Sequence, residues 1–108
     1  MTMQAEYMVP APSLEQVRSL AGVTVLEFGT PWCGFCQMAQ PGLEEALSRH
    51  HDVHHLKIED GPGRRLGRAF RVKLWPTLVF LQDGEEVARL VRPASGEAIQ
   101  QTLERVAA

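Results

Sequence analysis

The chain has 108 residues, of which 44% are hydrophobic and 22% charged, with a formal net charge of −2. This length fits one compact domain over residues 1–108, with residues 1–12 as a lead-in. So small a charge creates no field that would favour nucleic acid or an anionic membrane. No stretch of about 18 apolar residues predicts a membrane span, and residues 1–12 lack the regions of a signal peptide. We expect a cytoplasmic monomer.

The first predicted elements are a short strand, a helix and a long buried strand. The short strand is expected near Tyr7–Val9. Ser13 opens a capping-box sequence and a helix that runs to about Leu20. Val23–Phe28 is β-branched and almost continuously apolar, which indicates a central strand covered on both faces.

The later elements follow from turn and cap signals. We predict a helix from the cysteine pair to about Arg49, a strand near Val53–Glu59, a basic helix over Arg64–Phe70, strands over Thr77–Leu81 and Glu86–Val91, and a last helix after Ser95. Asp83-Gly84 is a strong hairpin signal. The order β-α-β-α-β-α-β-β-α implies an α/β fold, with a mixed central sheet and helices on both faces.

The two cysteines of the chain stand in Cys33-Gly34-Phe35-Cys36, where a strand ends and a helix begins. Helix N-termini present free N–H groups and a partial positive charge, and both stabilise a thiolate. Cys33 is therefore the expected exposed nucleophile, and Cys36, on the same helical face, can close onto it. This pair predicts dithiol–disulfide exchange, which needs no bound cofactor.

A zinc site is an alternative use of these cysteines. Cys33, Cys36, His50 and His54 fit the loose spacing of a zinc finger. A finger needs its cysteines on a hairpin and its histidines on one helix. Here the cysteines open a helix and His54 falls in a predicted strand, so we expect no metal site.

Glu27 places a charge in the otherwise apolar strand Val23–Phe28. An isolated buried carboxylate is costly, so it should stay protonated or find a partner. We interpret Glu27 as a proton relay for Cys36, acting directly or through water. The alternative is a glutamate at a strand end that reaches solvent.

From about Leu14 to Val106 the sequence resembles the thioredoxin family. The landmarks are Trp32-Cys33-Gly34-Phe35-Cys36, a helix proline at Pro41, Trp75-Pro76-Thr77, Asp83-Gly84, and Glu27, where the family has a buried aspartate. The resemblance implies a thioredoxin fold and a cis proline at Pro76 that faces the cysteines. It also implies protein disulfides as substrates, and a reductase or a low-molecular-weight thiol as electron donor.

Four residues depart from the family pattern. Phe35 replaces a proline, Gly29 an aromatic residue, Arg92 a glycine, and His55 a lysine that pairs with the acid. We expect the fold and the chemistry to survive, with changes in redox potential and partner choice. The expected substrate contacts are Trp32, Gly34, Phe35, Trp75, Pro76 and Arg92.

Phe35 supplies a backbone N–H that proline lacks. We expect this N–H to point toward the Cys33 sulfur and favour the reduced state. A different function also fits the chain, namely a thioredoxin-fold adaptor or chaperone-like module in which the thiols are secondary. The intact cysteine pair argues against it.

Overall fold

A computed structural model describes residues 3–107 of the chain. Its elements are α1 (Leu14–Arg18), β1 (Val23–Gly29), α2 (Gly34–Ser48), β2 (His54–Glu59), α3 (Arg65–Ala69), β3 (Thr77–Gln82), β4 (Glu85–Val91) and α4 (Gly96–Val106). Each matches a predicted element to within a few residues, because caps, turns and apolar runs are local signals.

The strands form one four-stranded sheet in the order β2-β1-β3-β4. β1 is parallel to β2 and antiparallel to β3, and β4 returns antiparallel to β3. The prediction of a mixed sheet with a terminal hairpin is confirmed. β1 lies between two partners, which explains why its sequence is almost continuously apolar.

The predicted strand near Tyr7–Val9 is wrong. The Met8 N–H donates to the Lys57 carbonyl over 2.8 Å, but the segment is not a strand. Pro10 and Pro12 follow closely. Because proline has no N–H, this segment cannot extend one backbone contact into a ladder.

Each face of the sheet covers its own apolar cluster, because successive side chains of a strand point to opposite faces. Val25 packs with Leu43 of α2 and Leu103 of α4 on one face. Leu26 packs with Val17 of α1 and with Leu66 of α3 on the other. Helices therefore cover both faces, and the N-terminus of α2 lies at the end of the central strand β1.

Candidate active site

Cys33 occupies the N-cap of α2, with φ −82° and ψ 116° outside the helical region. The Cys36 N–H donates to Cys33 Sγ over 3.2 Å. Cys33 is half-buried, and both cysteines are free thiols. A partly exposed sulfur thus lies at a helix N-terminus and accepts a backbone N–H.

The donor to Cys33 Sγ is the Cys36 N–H, and this corrects the expectation for Phe35. A proline in place of Phe35 would leave that donor intact. The Phe35 side chain is 53% exposed, and the Arg92 guanidinium carbon lies 4.3 Å from the centroid of its ring. Two departures from the family pattern are therefore in contact, in a cation–π arrangement.

Cys36 is only 2% exposed. Burial raises the pKa of its thiol to about 12, and the neighbouring Cys33 and the Glu27 charge add to the rise. A hydrogen bond from the Thr30 backbone opposes the rise. Cys36 therefore holds its proton at neutral pH and must lose it before its sulfur can attack a disulfide.

Gly29, the last residue of β1, leaves the space that Cys36 needs. A Cβ at this position would lie 2.5 Å from Cys36 Sγ and 3.3 Å from the Tyr7 hydroxyl oxygen. The first distance is far below an ordinary contact between heavy atoms. An aromatic side chain, frequent here in the family, would have to displace both groups.

Glu27 is fully buried, so the alternative of a solvent-exposed glutamate is wrong. Its Oε1 lies 2.8 Å from His55 Nε2. Its Oε2 accepts a hydrogen bond of 2.7 Å from Gln40 Nε2. Buried polar groups are tolerated when they are hydrogen-bonded, and this carboxylate has a partner on each oxygen.

The tautomer of His55 follows from its two hydrogen bonds. The Gln4 N–H donates to His55 Nδ1 over 2.8 Å, so Nδ1 acts as an acceptor and carries no proton. The proton of the neutral ring is then on Nε2, which donates to Glu27. His55 pairs with the acid, as the family's lysine does.

Two further members of this network, Gln40 and Lys57, were not predicted from the sequence. Gln40 Nε2 also donates to the Cys36 carbonyl over 2.9 Å, and Lys57 Nζ donates to Gln40 Oε1 over 3.1 Å. Their sequence spacing from Cys36 and His55 could have indicated that they lie near the site. Gln40 is one helical turn beyond Cys36, and Lys57 follows His55 by two residues on the same face of β2.

The predicted substrate contacts fall in three places. Trp32 and Gly34 are exposed beside Cys33, and the Trp32 side chain is 70% exposed. Trp75 is half-buried, and its indole N–H donates to Asp60 Oδ2 over 2.9 Å. Phe35, Pro76 and Arg92 line one groove.

Arg92 connects the walls of this groove. Its Nε donates to the Trp75 carbonyl over 2.8 Å, and its backbone N–H donates to the Pro76 carbonyl over 2.9 Å. The peptide bond between Trp75 and Pro76 is cis. Because the Arg92 side chain also stacks on Phe35, it bridges the first turn of α2 and the Trp75–Pro76 segment.

Two further properties concern residues 3–107. Within this range, no helix has both the length and the apolar character that crossing a bilayer requires. In the same range, no three histidine, cysteine, aspartate or glutamate side chains are grouped so that they could hold a metal ion. His54 lies on β2 and the cysteines at the start of α2.

The Thioredoxin family model matches residues 10–105. The chain belongs to the thioredoxin family. It is similar to the reduced form of thioredoxin 2 from Pseudomonas aeruginosa PAO1, with 55% identity, a TM-score of 0.86 and coverage of 97% of each chain. The predicted thioredoxin fold is thereby confirmed.

Two curated relatives are also thioredoxins. Thioredoxin H2-1 of Oryza sativa subsp. japonica is 38% identical over 69 residues, which are 64% of this chain and 50% of that protein. Thioredoxin H-type 1 of Nicotiana tabacum is 34% identical over 86 residues, which are 80% of this chain and 68% of that protein. The match thus spans half the length of the rice relative. Membership of the family supports a thiol–disulfide oxidoreductase function.

Proposed function

We propose that this thioredoxin-family protein exchanges a Cys33–Cys36 dithiol or disulfide with disulfides of protein substrates. The observation that carries the proposal is the contrast between the two sulfurs. Cys33 is half-buried at the N-cap of α2 and accepts an N–H, whereas Cys36 is buried behind it. A thiolate at an accessible helix end is the species that attacks a disulfide.

Reduction takes place in two steps. The Cys33 thiolate attacks a substrate disulfide, one substrate sulfur leaves as a thiolate, and a mixed disulfide forms. Cys36 then loses its proton and attacks the Cys33 sulfur, which releases the second substrate sulfur. The substrate gains two electrons and the protein becomes a Cys33–Cys36 disulfide. A reductase or a low-molecular-weight thiol returns the electrons.

Glu27 is the proposed proton acceptor for Cys36, directly or through water. The high pKa of the Cys36 thiol makes such an acceptor necessary near neutral pH. Gln40 supports this role, because its amide donates both to Glu27 Oε2 and to the Cys36 carbonyl. The carboxylate is thus held beside the helical turn that carries Cys36.

The proposed substrate surface comprises Trp32, Gly34, Phe35, Trp75, Pro76 and Arg92. Exposed apolar side chains beside the nucleophile support it, since Trp32 is 70% and Phe35 53% exposed. Such patches commonly mark binding sites for other proteins. Pro76 lines the same groove as Phe35 and Arg92 and would contact an extended substrate segment.

Insulin reduction by the purified protein tests the proposed exchange. Cys33→Ser should abolish turnover and trap nothing, whereas Cys36→Ser should accumulate mixed disulfides. Iodoacetamide should alkylate Cys33 much faster than Cys36, because only Cys33 is accessible. Equal alkylation rates would contradict the assigned roles. Partner binding that survives loss of both cysteines, without any reduction, would instead indicate an adaptor.

A second experiment tests the relay. Glu27→Gln should slow release of the mixed disulfide near neutral pH by about 10²-fold or more, the usual range for a general base. Formation of the mixed disulfide should keep its rate, because Cys33 attacks without help from Glu27. Unchanged release rates between pH 6 and pH 9 would rule out the relay.

We also propose a monomer that works in the cytoplasm, without a nucleic-acid or membrane partner. The net charge of −2 supports the absence of such partners. Both cysteines belong to the exchange pair, and cytosolic disulfides are usually catalytic. Light scattering after gel filtration measures the oligomeric state, and fractionation of cells measures the location. A dimer or a membrane-bound fraction would contradict them.

A further inference from the structure

The segment before α1 lies over the buried side of the site. The Gln4 N–H donates to His55 Nδ1 (2.8 Å), Lys57 Nζ donates to the Ala5 carbonyl (3.3 Å), and the Met8 N–H donates to the Lys57 carbonyl (2.8 Å). These contacts fix the backbone on both sides of Tyr7. The family model begins at residue 10, so residues 4–8, which make these contacts, lie outside the match.

Tyr7 is the residue of this segment that reaches the cysteines. Its ring lies 4.9 Å from Lys57 Nζ, which holds it in a cation–π contact. Its hydroxyl oxygen and Cys36 Sγ border the same small space at Gly29, 3.3 and 2.5 Å from the position of an added Cβ. Gly29 therefore lets a phenol from the N-terminal segment approach the buried sulfur.

The electrostatic environment keeps this phenol protonated. Burial raises the pKa of Tyr7, and the charges of Cys36, Glu27, Cys33 and Glu59 raise it further. These are the ionisable groups of the exchange site, with Glu59 at the end of β2. A phenol that keeps its proton is a hydrogen-bond donor at every working pH.

We propose that the Tyr7 hydroxyl donates a hydrogen bond to the Cys36 sulfur as this thiol ionises in the second step of exchange. Tyr7 keeps its own proton, and the proton of Cys36 goes to Glu27. The transfer to Glu27 and the two-step exchange rest on the proposed function. The Thr30 backbone supplies the other hydrogen bond to the sulfur. Tyr7 offsets the burial and the negative neighbours that oppose ionisation of Cys36.

An aromatic disulfide reagent, dithiobis(nitrobenzoate), separates the two steps in one mixing experiment. Attack by Cys33 releases the first thionitrobenzoate, and attack by Cys36 on the resulting adduct releases the second. Tyr7→Phe removes the hydroxyl and keeps the ring on Lys57. The second release should become about tenfold slower, as expected for a lost hydrogen bond to a charged sulfur.

Two further readings separate a hydrogen bond from a packing effect. The pH midpoint of the second release should rise in Tyr7→Phe, because the Cys36 thiolate is less stabilised. In the Cys36→Ser background only the first release occurs, and Tyr7→Phe should leave its rate unchanged. An unchanged second release, or an equal slowing of both steps, would overturn the inference. The reagent is not a protein, so this result does not depend on whether insulin is reduced.

Discussion

The two sulfurs of the pair are three residues apart and have opposite surroundings. Beside Cys33, the side chains of Trp32, Phe35 and Met38 are 70%, 53% and 78% exposed. Behind Cys36, Glu27 and His55 are fully buried and hydrogen-bonded to each other. The first region is an apolar surface, and the second is a polar network inside the core.

The two regions therefore influence different properties of the exchange reaction: the exposed surface affects partner choice, and the buried network affects stability and rate. A side chain on the exposed surface can change without leaving a buried group unsatisfied, so that region is free to set partner choice. In the buried network, hydrogen bonds run from Lys57 through Gln40 to Glu27 and on to His55. A change there removes the partner of a buried polar group, which costs stability as well as rate.

The largest effect is expected from Gly29→Ala on the buried side. The new methyl group would overlap Cys36 Sγ and crowd the Tyr7 hydroxyl. We expect a loss of about 3 kcal/mol in the free energy of unfolding, the upper end for an overpacked core. Urea denaturation measures this loss.

Gly34→Ala is the matched control for Gly29→Ala on the exposed side. A Cβ at Gly34 would meet no atom within 4 Å, and Gly34 is the first residue of α2. Alanine there should hold or raise the free energy of unfolding, by up to about 1 kcal/mol. Equal losses in the two variants would contradict the difference between the two regions.

The next largest effect is a loss of stability at alkaline pH in the reduced protein. Folding raises the pKa of the Cys36 thiol from 9.0 to about 12. Its stabilising contribution is therefore complete below pH 9 and is lost as the pH rises toward 12. The free energy of unfolding of the reduced protein should therefore fall steadily as the pH rises above 9.

The control for this pH dependence is Cys36→Ala, which has no thiol to ionise behind Cys33. Denaturation midpoints measured from pH 8 to pH 11 should fall more steeply in the reduced parent protein than in this variant. Parallel curves would show that burial of Cys36 does not govern its ionisation.

A smaller effect is expected from Arg92→Gly on the exposed surface. The change removes the stack on Phe35, about 0.5–1 kcal/mol, and the hydrogen bond from Arg92 Nε to the Trp75 carbonyl, about 1 kcal/mol. It also relieves a residue at φ 47°. The relief of backbone strain opposes the two losses, so the free energy of unfolding should fall by about 1 kcal/mol or less.

Arg71→Gly separates the two contributions to the Arg92→Gly result. Arg71 is exposed and also has a positive φ, of 57°, so the variant tests the relief of backbone strain at a second arginine. It should be more stable than Arg92→Gly by the combined value of the stack and the hydrogen bond to Trp75, about 1.5–2 kcal/mol. The reverse order in thermal denaturation would show that neither contact stabilises the fold.

The smallest effect is expected for the reduction potential of Phe35→Pro. The donor to Cys33 Sγ is the Cys36 N–H, which this change leaves in place. Equilibration with glutathione should therefore give a potential within about 30 mV of the parent protein, equivalent to about 1.4 kcal/mol. A larger shift toward negative values would restore the Phe35 N–H as a donor.

The elements and the place of the exchange site were predictable because their signals are local. The capping box at Ser13 and the Asp83-Gly84 turn act within a few residues, and both elements appear as expected. The cysteine pair at the start of α2 follows from the end of β1 and the beginning of a helix. The strand expected near Tyr7–Val9 failed, because Pro10 and Pro12 keep the segment from extending its one backbone contact with β2 into a ladder.

The position of Glu27 in an apolar strand predicted a carboxyl group that stays protonated or finds a partner, since a buried carboxylate is costly wherever the chain places it. Which groups become its partners depends on tertiary packing. The parallel register of β1 and β2 brings His55 to its carboxylate, and helix α2 brings Gln40. Tyr7 reaches Cys36 from a segment that no local pattern links to the cysteines. Such contacts join distant parts of the chain, and they depend on strand register and helix packing rather than on local propensity.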